Sequence, residues 1–69
     1  MKVLSERIRT SRKEKQMSQA ELAVLLNTTN DTVSLWELGK RDPSVEDLKK
    51  LCEIFNVSSD YLLGLSDFE

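Results

Sequence analysis

The sequence predicts an all-α protein of five short helices, on three observations. No stretch alternates apolar and polar residues as a half-buried strand would. Apolar residues recur instead at spacings of three and four, and Ser or Thr stands at a helix-start position ahead of several of these groups, with Gly, Asn or Pro after them.

The first helix is expected from about Val3 to Lys15, with Leu4 and Ile8 one turn apart on its inner face and charges over the rest. Gln16 and Met17 mark its end. Ser18 opens the second helix through the pattern S-x-x-E, in which the Ser18 hydroxyl accepts from the Glu21 amide and the Glu21 carboxylate reaches back to the Ser18 amide. Leu22, Ala23 and Leu26 then share one inner face. Asn27 tolerates the left-handed backbone of a tight turn, and Thr29 is a suitable cap for a third helix from Asn30 to about Leu38. Val33 and Trp36 point inward on it, and Gly39 supplies its ending.

Pro43 stops helix continuation, and Ser44 with Asp47 makes a second start of the capping-box kind for a helix through Phe55. Val45, Leu48, Leu51, Cys52 and Phe55 form one apolar stripe, which reads Cys52 as a small core residue. Ser58 caps a last helix holding Leu62 and Leu63, ended by Gly64, and the segment LSDFE is expected to be loosely ordered. Residues 4–64 thus form one domain, with 65–69 as a C-terminal tail.

Composition closes most routes to catalysis. The 69 residues include no histidine and one cysteine, so neither a zinc site nor a Cys-His or Ser-His-Asp arrangement can be assembled, and no metal or cofactor is expected. The two glycines lie far apart, which rules out a glycine-rich phosphate loop. There is no long apolar run and no leader of the secretory kind, so the expected setting is soluble and cytoplasmic.

The net charge of -2 hides an uneven distribution. Lys2, Arg7, Arg9, Arg12, Lys13 and Lys15 crowd the first helix, Lys40 and Arg41 follow Gly39, and acids dominate beyond Pro43. The first helix and the 40–41 corner could therefore face a polyanion while the acidic end points away. Charges on a first helix also simply solvate it, and this feature alone does not choose between the two.

Residues 18–37, two short helices joined by a tight turn, have the form of a helix-turn-helix. A helix that enters the major groove needs hydrogen-bonding groups facing out from an uncluttered first turn, while its partner crosses the backbone. Gln19, at the start of the second helix, is placed for a phosphate contact. From Leu4 to Gly64, on IRTSRKEKQMSQAELA, VSLWELGKRDPS and LCEIFNVSSDYLLG, the chain resembles the Cro/cI-type (XRE-type) helix-turn-helix domains of phage repressors and their bacterial relatives.

That resemblance implies a compact five-helix bundle of the lambda-repressor-like DNA-binding type and operator binding by a homodimer. It places Asn30, Asp31, Ser34 and Leu35 at the outward, base-reading positions, Thr29 as cap and backbone contact, and Lys40 and Arg41 in a loop that grips the sugar-phosphate chain. It also pairs Arg12 with Glu37 in a salt bridge between the first and third helices. Leu35 and Leu38 depart from the polar or basic residues more usual there, Asn27 replaces the common glycine of the turn, and Val24 and Leu25 add apolar surface.

Asn30 suits adenine N6 and N7; Asp31 either accepts from cytosine N4 or sits in the first turn only because the helix dipole favours an acid. Leu35 either touches a thymine methyl or is an ordinary exposed leucine. Tyr61, Leu65 and Phe68, least accounted for by the core, are the expected dimer contacts. The expected partner is double-stranded DNA. The competing reading is a protein-binding adaptor of the same fold, antitoxin-like or coactivator-like, that uses Val24, Leu25 and Leu38.

Overall fold

The computed structural model describes residues 1–69 and is wholly helical: α1 Lys2–Glu14, α2 Gln19–Leu25, α3 Asn30–Glu37, α4 Val45–Phe55 and α5 Ser59–Leu63. No helix is long and apolar enough to cross a membrane.

Four of the helices begin on a hydroxyl cap. The Ser18, Thr29, Ser44 and Ser58 side chains accept from the backbone amides of Glu21, Thr32, Asp47 and Tyr61 respectively. At Ser18 the box closes, because Glu21 Oε1 also accepts from the Ser18 amide at 2.8 Å. At Ser44 only the forward bond forms, at 3.0 Å. Asp47 is one methylene shorter than the glutamate such a box needs to reach back.

The endings share one device. Gln16, Asn27, Gly39, Asn56 and Gly64 all have positive φ, between 55° and 82°, and each turns the chain out of the helix before it. Amides just past the turn then bond back to carbonyls of the last helical turn, as in Met17 to Arg12, Thr28 to Ala23, Lys40 to Leu35 and Leu65 to Asp60. Carbonyls that would otherwise be orphaned are satisfied, so the helices can be short and the turns tight.

Ten side chains form the core: Leu4 and Ile8 from α1, Leu22, Ala23 and Leu26 from the second unit, Val33 and Trp36 from α3, Leu51 and Phe55 from α4, and Leu62 from α5. Trp36 and Phe55 are the largest of the fully enclosed groups. Cys52 is a free, half-buried thiol against this core, and burial raises its pKa.

Two expectations require correction. Val45 does not join the stripe of α4 and is 85% exposed, because it lies in the first turn, where no neighbouring helix covers it. The segment after Gly64 is tied down rather than loose. Arg7 on α1 donates to the carbonyls of Tyr61 and Ser66, the latter at 2.6 Å, and to the Asp67 carboxylate at 3.2 Å, while its guanidinium lies 4.3 Å from the centre of the Tyr61 ring. Leu65 and Ser66 amides add bonds to the Asp60 carbonyl, and the Glu69 carbonyl accepts from the Ser58 amide.

Candidate nucleic-acid interface

Helix α3 is held on its inner side by Val33 and Trp36, at 0% and 2% exposure. Its outer side follows from the same periodicity. Asn30 and Asp31 are exposed, whereas Ser34 and Leu35 are half-buried. The four side chains come together along the first two turns of one short helix, and none of them makes a hydrogen bond or ion pair within the chain. Thr29 is committed to the helix start: its hydroxyl accepts from the Thr32 amide at 3.2 Å and shares a 2.9 Å hydrogen bond with the Thr32 hydroxyl.

What fixes the angle of α3 is a polar junction with α1 and α2. Arg12 Nε donates to Glu37 Oε2 at 2.7 Å and Arg12 Nη2 to Glu37 Oε1 at 3.0 Å. The side chains are only 11% and 5% exposed. The hydrogen bond to Glu37 raises the Arg12 pKa against the opposing effect of burial. Arg12 Nη1 also donates to the Met17 carbonyl at 2.8 Å, and Gln19 Nε2 donates to Glu37 Oε1 at 3.1 Å.

Gln19 therefore has its amide orientation set by chemistry. Glu37 is acceptor-only, so Gln19 must turn its NH2 group inward, leaving one N–H and the carbonyl oxygen free. Beside this junction lies a small open cleft lined by Arg9, Arg12, Gln19, Ser34, Glu37 and Leu38. Arg9, which sequence reasoning did not single out, is exposed at its edge without a carboxylate partner.

The charge distribution is sharpened by pairing. Arg7 and Arg12 are engaged by Asp67 and Glu37, so two of the first-helix cations are internal contacts rather than free surface charge. Lys2, Arg9 and Lys13 on α1, and Lys15 just past its end, remain unpaired. Lys40 and Arg41 are exposed and unpaired as well, and their neighbour Asp42 is taken by the Met1 amino group at 2.7 Å. Beyond α5, Leu65 and Phe68 are 76% and 85% exposed, while Tyr61 is half-buried beneath Arg7. No sequence signal could reveal Arg7, whose partners lie more than 50 residues along the chain.

A capped α2, a left-handed turn at Asn27 and an α3 with a free outer face, braced on α1, define a helix-turn-helix domain. The family model described as Helix-turn-helix (HTH_3) matches residues 8–62, and the chain belongs to that family.

Among its relatives, the HTH-type transcriptional regulator ImmR of Bacillus subtilis is 41% identical over 61 residues, which is 88% of this chain and 48% of ImmR. The repressor protein C2 of Salmonella phage P22 is 36% identical over 88% of this chain and 28% of its own length. The chain thus spans about half of ImmR and less than a third of C2. The P22 c2 repressor in complex with a synthetic operator superimposes with a TM-score of 0.81 at 36% identity, over 86% of this chain and 89% of the other. SinR, a master regulator of biofilm formation, in complex with DNA gives a TM-score of 0.79 at 33% identity, over 87% and 97%.

Proposed function

We propose that this protein is a sequence-specific DNA-binding transcriptional regulator, a repressor that binds a palindromic operator as a homodimer in the cytoplasm. Residues 4–64 are the DNA-binding unit, 18–37 its helix-turn-helix and 65–69 its tail. The observation that carries the reading is the outer face of α3: Asn30, Asp31, Ser34 and Leu35 stand together without internal partners on a helix locked to α1 by Arg12 and Glu37. Similarity to the P22 c2 repressor and SinR, both solved with DNA, supports it.

Attraction and reading are divided between different residues. Lys40, Arg41 and the free N–H of Gln19 contact phosphates, with Thr29 beside them, and the unpaired α1 cations add to the field. Asn30, Asp31, Ser34 and Leu35 then meet base edges in the major groove. Because so small a module buries little surface on DNA, two copies engage half-sites about one helical turn apart. We assign Leu65 and Phe68 to the contact between copies, with Tyr61 at its edge.

The test is binding to a duplex selected from a random pool and to a scrambled duplex across a salt series. Strong preference for the selected duplex and steep weakening with salt are expected. Equal, salt-insensitive or absent binding would favour the adaptor reading, which the exposure of Val24 at 78%, Leu25 at 56% and Leu38 at 64% supports. Light scattering with and without DNA tests the dimer; a strict monomer in both removes it.

A further inference from the structure

We propose that Asp31 is a specificity-determining residue that selects cytosine and rejects guanine at one position of each half-site; this rests on the reading of α3 as the base-reading helix. The helix-turn-helix carries Glu21, Asp31 and Glu37 as its acids. Two of them are used inside the fold. Glu21 accepts from the Ser18 amide, and Glu37 accepts from Arg12 and Gln19.

Asp31 accepts from nothing and is exposed. Its neighbours one turn on, Ser34 and Leu35, supply no cation at the spacing where helical ion pairs form. Capping does not occupy it either, since Thr29 takes that role through the Thr32 amide. The carboxylate is thus a free acceptor on the face that meets DNA.

An acceptor-only group brought against base edges must find a donor or be repelled. The major groove offers two donors, cytosine N4 and adenine N6. Adenine places the N7 acceptor beside its amino group, where it opposes the second carboxylate oxygen. Cytosine presents its amino group without that neighbour. Guanine, with O6 and N7, presents acceptors alone, and thymine adds O4 and a methyl group. The adjacent Asn30 has both donor and acceptor, so the two residues divide the code: the amide takes adenine and the carboxylate takes cytosine. Asp31 also lowers affinity for DNA that lacks a cytosine there, by repulsion and lost hydration.

The experiment is selection from a random duplex pool by the intact chain, by Asp31→Asn and by Asp31→Ala, followed by titration of the selected duplex and of single-base variants. Circular dichroism checks that both variants keep their helices, and Asp31→Asn preserves shape. The wild type should enrich a site with one position where cytosine is favoured over guanine by about tenfold. That preference should vanish in Asp31→Ala and widen to admit adenine in Asp31→Asn, with preferences elsewhere unchanged and scrambled duplex bound more tightly. A wild-type site whose preferences persist at every position in Asp31→Ala overturns the proposal while leaving α3 as the reading helix. A wild type that enriches no site overturns both.

Discussion

Arg12 and Glu37, 25 residues apart in sequence, meet through two parallel hydrogen bonds of 2.7 and 3.0 Å at the junction of α1, α2 and α3. The guanidinium fork and the carboxylate match in shape as well as charge, which is the strong form of such a pair. Gln19 and the Met17 carbonyl complete the junction, so the ends of three helices are registered on one another.

Glu37→Ala should lower stability by about 3 kcal/mol, because it leaves the Arg12 charge nearly buried with no counterion. The double change Arg12→Met with Glu37→Leu should recover most of that loss, since no orphaned charge remains. Urea unfolding of both variants measures the difference. A single variant as stable as the parent would show that the pair contributes only position.

The helix starts respond to pH through Glu21, whose pKa is lowered by the bonds it makes with the Ser18 amide and hydroxyl. A carboxyl whose folded pKa lies below its unfolded value stabilises the fold above the unfolded value and ceases to do so as pH falls through the folded one. The wild type should therefore lose the reciprocal bond of the α2 cap, from the Ser18 amide to the Glu21 carboxylate, progressively below about pH 4.3, while the Ser18 hydroxyl cap remains. Glu21→Ala, already without the reciprocal bond, should show a flatter dependence of thermal midpoint on pH over that range. The same slope in both would assign the acid sensitivity to other groups.

Most of the architecture was legible because capping chemistry is local. Ser18 with Glu21, Thr29, Ser44, Ser58, Gly39 and Gly64 each declare a helix boundary within a few residues. Asn27 and Asn56 take the same left-handed turn, which asparagine tolerates, whereas Gln16 takes it although glutamine carries no preference for it. The latch of Arg7 on the tail was invisible because it joins the two ends of the chain, and helical periodicity says nothing about which charges on an outer face find partners. Sequence spacing likewise grouped the α3 side chains but could not show that Asp31, unlike Glu21 and Glu37, is left without a partner.

Closure of the two chain ends depends on Gly64. A Cβ built there would lie 2.8 Å from Val3 Cγ1, on a backbone with φ of 82°. Gly39, with φ of 74°, would place its Cβ 3.4 Å from Ser5 Oγ, close to ordinary contact. Gly64→Ala should therefore cost about 2 kcal/mol or more, and Gly39→Ala about 1 kcal/mol, from strain in the left-handed region alone. Adding Val3→Ala to Gly64→Ala should restore only the part due to the clash. Equal losses at the two glycines, by thermal unfolding, would mean that the Val3 contact relaxes freely.

Arg7→Met should release the tail at a cost of about 1 to 2 kcal/mol, through lost charge-assisted bonds to carbonyls and the lost contact over Tyr61. Asp67→Asn should change stability little, since that carboxylate is 94% exposed and its bond to Arg7 is screened by water. Amide exchange at Leu65 and Ser66 reads the release directly. Fast exchange in the parent, equal to that of Arg7→Met, would mean that the latch does not hold the tail.

Asn30 and Arg41 separate reading from attraction. Asn30, exposed in the first turn of α3, offers an amide whose donor and acceptor match adenine N6 and N7, whereas Arg41, exposed beyond Gly39, offers a charge that cannot distinguish one phosphate from another. Asn30→Ala should cost about 1 to 3 kcal/mol on the selected duplex and little on a scrambled one, relaxing preference at one or two positions. Arg41→Ala should weaken both duplexes alike and reduce the slope of affinity against salt by about one. Equal losses on selected and scrambled DNA for Asn30→Ala would remove its reading role, because a contact that ignores sequence is a backbone contact wherever it sits on the helix.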